Sequence, residues 1–288
     1  MPTLDLDGVS IYFEERGEGP PVLLIMGLGT PGVGWRYQVP QFSARYRTIT
    51  FDNRGCGRSS APPGPYSIAQ LADDALALLS ALGIERAHVV GVSMGGMIAQ
   101  EIAIEHPERV GALVLASTFA APGASEKEAF EKGRGLAALF PKPGSNSVDP
   151  FAALRFIVDL AFSPEFIERE GATLLGLFME SCPDGISAQG QFAQAAAVMA
   201  HDSRARLGRV RAPTLAITGD TDRLVPCAHS DEIVRLVPGA RLARLAGGSH
   251  AVNFERPEEW NAVVLSFLAE HDVLLETAAP RAPEPAAS

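Results

Sequence analysis

The stretch VVGVSMGGMI, residues 89–98, decides how this chain is read. Small β-forming residues run into Ser93, glycines stand two residues away on either side at Gly91 and Gly95, and a helix-like run follows at once. Such a serine is either a helix cap in a tight turn or a nucleophile held on a strained elbow. G-x-S-x-G placed between a buried strand and a buried helix is the context that the second reading requires. An apex residue there takes a sparsely populated backbone conformation. Strand and helix then approach so closely that side chains at 91 and 95 would clash. The hydroxyl stands above the carboxyl ends of the strands, where open α/β sheets bind ligands, and the following helix aims its first N–H groups at the site.

The rest of the chain supplies that context. Apolar runs at 21–27, 46–52, 87–93, 110–118 and 213–220, with a weaker one at 240–246, fit strands covered on both faces. Amphipathic helices alternate with them. Ser67 and Gln70 form a capping-box pattern ahead of the apolar face Ile68, Leu71, Ala75, Leu79 and Leu82, which Gly83 ends. Pro257 opens a later helix with Glu258 and Glu259 in its first turn and a stripe through Trp260, Val264 and Phe267. The β–α alternation predicts a parallel sheet with helices on both faces. It breaks between 119 and 209, where the signals are helical apart from a loop at 141–150. The organisation expected is a first core part at 1–118, a helical cap inserted at 119–209, a second core part at 210–272, and a Pro/Ala-rich disordered tail at 273–288.

Bulk properties narrow the function. With 288 residues, 47% of them hydrophobic, the chain can bury a large core. A formal net charge of −10 repels phosphate backbones and anionic bilayers, so neither nucleic acid nor membrane is an expected partner. The acidic N-terminus does not read as a signal peptide, and no apolar run approaches the roughly 20 residues of a membrane span. Cys56, Cys182 and Cys227 are odd in number and lack C-x-x-C spacing, which argues against a disulfide framework or zinc site and for the cytoplasm. A homo-oligomer is compatible with this composition.

A serine hydroxyl needs a base, and the base an orienting acid. Loops after the later strands offer both, in TGDTDRLVP (218–226) and AGGSHAVNFE (246–255). His250 is the histidine that follows a strand at the same end as Ser93. His88 begins a strand, His106 ends a helix, His229 and His271 read as solvated, and His201, in the insertion, is the lesser candidate. Two carboxylates in the first of these loops compete for the acid, Asp220 and Asp222.

These motifs together resemble the α/β-hydrolase fold family: the elbow GVSMGG, the loop FDNRGCGRS (51–59), GDTDRLVP and GGSH, in the order nucleophile, acid, histidine. The run from PPGPYS to GVSMGG is similar to the 3-oxoadipate enol-lactonase-like branch. The resemblance implies Ser93 as nucleophile, Asp222 as acid and His250 as base. It also implies an oxyanion hole made by the backbone N–H groups of Met94 and of Leu28 in the loop MGLG. The family usually carries His-Gly where this chain has Met26-Gly27. FDNRGCGRS, with Asp52, Arg54 and Arg58, is expected to be structural.

The expected activity is hydrolysis of a carboxylic ester or lactone of a small, moderately apolar metabolite through an acyl-enzyme, without metal or organic cofactor. The same triad also serves C–C bond hydrolases and cofactor-free haloperoxidase-like enzymes, and the fold also hosts non-catalytic small-ligand receptors. In the insertion, Arg134, Arg155 and Arg169 lie among acids and read as surface. With no cation committed to the pocket, uncharged substrates are expected to outperform carboxylate-bearing ones.

Overall fold

The computed structural model describes residues 2–6, 8–124, 127, 158–183 and 187–276. Eight strands form one sheet: β1 (Thr3–Leu6), β2 (Val9–Arg16), β3 (Pro21–Ile25), β4 (Arg47–Phe51), β5 (Ala87–Val92), β6 (Val110–Ala116), β7 (Thr214–Gly219) and β8 (Arg241–Leu245). Their spatial order is β1-β2-β4-β3-β5-β6-β7-β8. From β4 to β8 all neighbours are parallel. Every residue of β5, β6 and β7 is buried. That is why these strands read as unbroken apolar runs rather than alternations.

The helices are α1 (Val39–Phe42), α2 (Ile68–Ala81), α3 (Met94–Glu105), α4 (Pro164–Glu180), α5 (Ala188–Ala200), α6 (Ala228–Leu236), α7 (Val252–Glu255), α8 (Pro257–Ala269) and α9 (Val273–Glu276). Ser67 caps α2 by accepting the Gln70 N–H at 3.1 Å. On one face of the sheet Leu71 and Leu79 of α2 and Ile98 and Ile102 of α3 share a core with Leu23 and Leu113. On the other, Trp260 and Phe267 of α8 pack with Trp35, Phe42 and Val114. Trp35 and Trp260 rings lie 5.9 Å apart and both are fully buried.

Between β6 and β7 the described residues are helical wherever regular, with α4 and α5 followed by a 3-10 turn at Leu207–Arg209. Apart from residue 127, the expected helix over 125–140 lies outside the described residues, as do the loop at 141–150, the first part of the next helix, 149–157, and with them Arg134 and Arg155. No helix among the described residues is long and apolar enough to cross a membrane.

Two features depart from the sequence expectations. β1 and β2 form an antiparallel hairpin that was not expected, and β2 pairs antiparallel with β4 to extend the sheet. The chain also stays ordered past 272. α9 occupies 273–276, Leu275 is buried against Gly111, and the Leu274 carbonyl accepts from Arg86 at 2.8 Å. An apolar pair, Leu274-Leu275, finds a groove beside β6 before the Pro/Ala-rich segment begins. Residues 277–288 lie outside the described residues.

Candidate active site

The elbow has the strained geometry that its sequence implies. Ser93 sits between β5 and α3 with φ 55° and ψ −120°, a conformation costly for a residue with a side chain. A Cβ on Gly91 would collide with the Gly95 carbonyl, and one on Gly95 with the Ile25 carbonyl at the end of β3. Backbone and side-chain bonds hold the apex. Ser93 N–H donates to the Ala116 carbonyl at 2.9 Å, and the Ser93 carbonyl accepts from Gly96 N–H at 2.9 Å and from Thr118 Oγ1 at 2.7 Å.

His250 follows β8, in the loop before α7. Its Nδ1 lies 2.8 Å from Asp222 Oδ2 in the loop after β7, and both side chains are buried. Oδ1 of Asp222 accepts the N–H groups of Leu224 and Val225 at 2.9 and 2.7 Å. Asp220 instead accepts the Gly247 N–H at 2.6 Å and is exposed. Ser93 and His250 both face one cavity of about 910 Å³. Among the described residues Ser93 Oγ has no hydrogen-bond partner, so the hydroxyl and His250 Nε2 are adjacent to the cavity but not joined to each other. Such contacts often tighten only when substrate is bound.

The loop after β3 borders Ser93 directly. A Cβ on Gly27 would lie 3.2 Å from Ser93 Cβ and 3.7 Å from its Oγ. Gly27 carbonyl accepts from Thr30 N–H at 3.2 Å, and Gly29 has φ 65°, so Leu28 and Gly29 are the central residues of a tight turn. Neither Leu28 N–H nor Met94 N–H has an acceptor among the described residues. Met26, in place of the family's histidine, is buried and borders the cavity.

The cap supplies most of the cavity's apolar wall, with Leu174, Leu177 and Phe178 from α4 and Val198 and Met199 from α5. Phe162, Phe166 and Phe254 form a ring stack that joins the start of α4 to α7, with centroids 5.3 and 5.5 Å apart. Ala251 N–H donates to the Ala161 carbonyl at 2.9 Å, and Ser163 N–H to Glu255 Oε1 at 2.5 Å. The cap is thus tied to the residues just after His250.

Several side chains lie elsewhere than the sequence suggests. His229 lines the cavity, with Phe119 at 5.5 Å, rather than being solvated. Arg36 lines it too. Its guanidinium lies 5.0 Å from the Tyr37 ring centroid, and its buried Nη1 has no acceptor among the described residues. No motif marks this position, and only the fold brings it to the site. Arg169 is exposed beside Glu170, as expected. His201 lies outside the cavity, packed against Glu101, where burial pushes its pKa down to about 4.

The FDNRGCGRS loop spends its polar groups on scaffold. Arg54 forms a two-pronged bond to Asp74, both distances 2.5 Å. Asp52 accepts the N–H groups of Gly32 and Arg58 at 2.6 and 2.8 Å. Burial raises the Asp52 carboxyl above its ordinary value, and those two bonds oppose the rise. None of Asp52, Arg54 and Arg58 lines the cavity. Among the described residues no group of three His, Cys, Asp or Glu side chains is placed to hold a metal ion.

The family model for the alpha/beta hydrolase fold matches residues 20–257. The chain belongs to the alpha/beta hydrolase family. A relative from Azorhizobium caulinodans that carries the name carbamate hydrolase RutD is 32% identical over 273 residues, covering 94% of this chain and 100% of the relative. The 3-oxoadipate enol-lactonase 2 of Acinetobacter baylyi is 32% identical over 264 residues, covering 91% of this chain and 94% of its own. The crystal structure of the enol-lactonase from Burkholderia xenovorans LB400 superposes with a TM-score of 0.81 at 29% identity, over 93% of this chain and 100% of the other. As an alpha/beta hydrolase the chain places its elbow serine and its post-β8 histidine on one cavity, which residues of α4 and α5 also line.

Proposed function

We propose that this chain is a serine hydrolase that cleaves a carboxylic ester or lactone through an acyl-enzyme. The observation that carries the reading is a serine on a positive-φ elbow sharing a cavity with His250, whose far nitrogen is held by a buried carboxylate. Asp222 holds the imidazole with Nδ1 protonated, so that Nε2 presents a lone pair to the cavity. Ser93 Oγ attacks the substrate carbonyl carbon while His250 takes its proton. The carbonyl oxygen becomes an oxyanion and accepts the free N–H groups of Leu28 and Met94, each such donor worth about 3 kcal/mol in the transition state. His250 then protonates the departing alkoxide oxygen, and the C–O bond breaks to leave the acyl-Ser93 ester. Water, deprotonated by His250, reverses the sequence and frees the acid. In a lactone, acyl and alcohol parts leave as one hydroxy acid.

The cavity supports an apolar substrate body, since its wall is largely Leu, Phe, Val and Met. Relatives named for carbamate and enol-lactone hydrolysis are in keeping with acyl chemistry at this site. Rapid acid quench during turnover of a nitrophenyl ester, followed by mass analysis, tests the intermediate. An acyl adduct on the peptide bearing Ser93 supports it, and steady turnover with no adduct and no burst of nitrophenol counts against it.

One observation favours a narrower substrate. Arg36 Nη1 and Asn253 Nδ2 are buried donors without acceptors among the described residues, and both residues border the cavity. They belong to one wall. Gln38 Nε2 donates to the Asn253 carbonyl at 2.8 Å, and Tyr37 packs edge-on to Phe254 at 6.2 Å. Buried polar atoms are rarely left unpaired, and a guanidinium in an apolar wall calls for an anion. A substrate carboxylate at this wall would answer the charge of Arg36, whose side chain borders the cavity. This cation comes from the core, not from the cap arginines on which the expectation of an uncharged substrate rested.

A further inference from the structure

Gln194 is a polar residue of the cap helix α5 with 0% exposure, and its amide is spent entirely on the core. Its Oε1 accepts the Gly29 N–H at 2.8 Å, and its Nε2 donates to the Arg54 carbonyl at 2.7 Å. Gly29 belongs to the turn whose other central residue, Leu28, presents the free N–H beside Ser93. In such a turn the peptide between the two central residues is the part that can flip, and here the other restraint on it is a long bond of 3.3 Å from Thr30 Oγ1 to the Leu28 carbonyl. Here that peptide is Leu28–Gly29, and its N–H is the one that Gln194 takes.

The helix is brought close enough to do this by two missing side chains. Gly55 and Gly190 face each other, and a Cβ on Gly55 would lie 2.9 Å from Gly190 Cα. Gln191, one turn before Gln194, packs at 3.0 Å from where a Cβ on Gly29 would be, and it lines the cavity. α5 therefore touches the turn at two points and the FDNRGCGRS loop at two more.

We propose that Gln194 is a positioning residue for the oxyanion hole, through which the seated cap helix α5 fixes the turn that carries the Leu28 N–H. The proposal rests on the serine-hydrolase reading. It makes catalytic competence depend on the cap being docked, beyond the cap's part in shaping the cavity. Gln194 touches no reacting atom. Its effect passes through the Gly29 peptide, and small displacements of an oxyanion donor are costly in rate.

The test compares wild type with Gln194→Leu and Gln194→Glu, using a neutral aryl ester and a trifluoromethyl ketone of the same shape, whose serine adduct places an oxyanion in the hole. In Gln194→Leu, kcat is expected to fall by about 10- to 100-fold, short of the loss for a deleted donor, with KM changed by less than about threefold. The ketone's inhibition constant should rise in step with the fall in kcat/KM. Gln194→Glu keeps an acceptor for Gly29, and when protonated it also donates to the Arg54 carbonyl. Its activity relative to wild type should therefore recover as pH is lowered, while that of Gln194→Leu does not. If Gln194→Leu does not fold, the pH-dependent recovery of Gln194→Glu carries the test. Wild-type kcat in either folded variant at neutral pH, or a loss confined to KM with unchanged ketone affinity, overturns the proposal. Failure of the underlying reading would show in the wild type instead, as absence of fluorophosphonate labelling at Ser93.

Discussion

His250 Nδ1 and Asp222 Oδ2 lie 2.8 Å apart, while Oδ1 of the same carboxylate is already occupied by two backbone N–H groups. The carboxylate is thus fixed in rotation, and with it the imidazole. Asp220, two residues away, accepts the Gly247 N–H instead.

This division predicts opposite results from two similar changes. Asp222→Asn should lower kcat by about 10⁴-fold through the wrong imidazole tautomer. Asp220→Asn should leave kcat within a few-fold and act on the turn it ties. Steady-state kinetics of both variants with one ester decide the matter, and a crippled Asp220→Asn beside an active Asp222→Asn would reverse the assignment.

The pocket cation makes a prediction about specificity. With a pair of esters that differ only in a terminal carboxylate or its methyl ester, Arg36→Leu should lower kcat/KM for the charged substrate by about 10-fold or more. The neutral substrate should change little. Equal loss on both substrates would mean that Arg36 serves packing over Tyr37 alone.

Much of this site was legible in the sequence because the elbow is a local device. Gly91, Ser93 and Gly95 meet within five residues, and the buried runs on either side announce a strand and a helix. His250 could be singled out because it follows a strand in a short loop, whereas Asp222 was preferred to Asp220 on the spacing that the resemblance implies. What the sequence did not show depends on distant pairs. Gln194 and Gly29 are 165 residues apart, and Arg36 comes to the cavity beside residues 37 and 38, which dock on Phe254 and Asn253 of the α7 segment. Nothing local marks Gln194 or Arg36. The N-terminal hairpin is different, since Asp7-Gly8 and the alternation Val9, Ile11, Phe13 carry a hairpin signal. Its half-exposed strands look unlike the buried ones that set the pattern for the rest.

The elbow glycines predict a stability effect separate from catalysis. Gly91→Ala places a methyl group against the Gly95 carbonyl, backbone that cannot move aside without shifting α3. The cost should reach about 3 kcal/mol, the upper end for overpacking. Gly83→Ala meets no neighbour but has φ 70°, so its smaller penalty is conformational. Urea unfolding of the two variants should rank them in that order.

Stability should also fall as pH drops from about 6.5 towards 4. His88 and His201 are both pushed down to about 4, chiefly by burial. The folded state keeps them neutral, whereas the unfolded chain takes up protons near the ordinary histidine value. Their contribution is therefore complete above about 6.5 and is lost as pH falls through that window, approaching about 3 kcal/mol each near pH 4. His201→Gln should reduce the loss of Tm between pH 7 and pH 4.5. An unchanged pH slope would show that His201 is not a source of it.

The most direct test of the central claim is covalent. Wild-type protein treated with an alkyl fluorophosphonate should gain one phosphonyl group per chain, on the peptide containing Ser93, in step with loss of ester hydrolysis. Ser93→Ala should fold with wild-type Tm, take up no label, and lose turnover by about 10⁶-fold. An active wild-type enzyme that resists the reagent, a label on another residue, or a Ser93→Ala protein that keeps most of its activity would contradict the account.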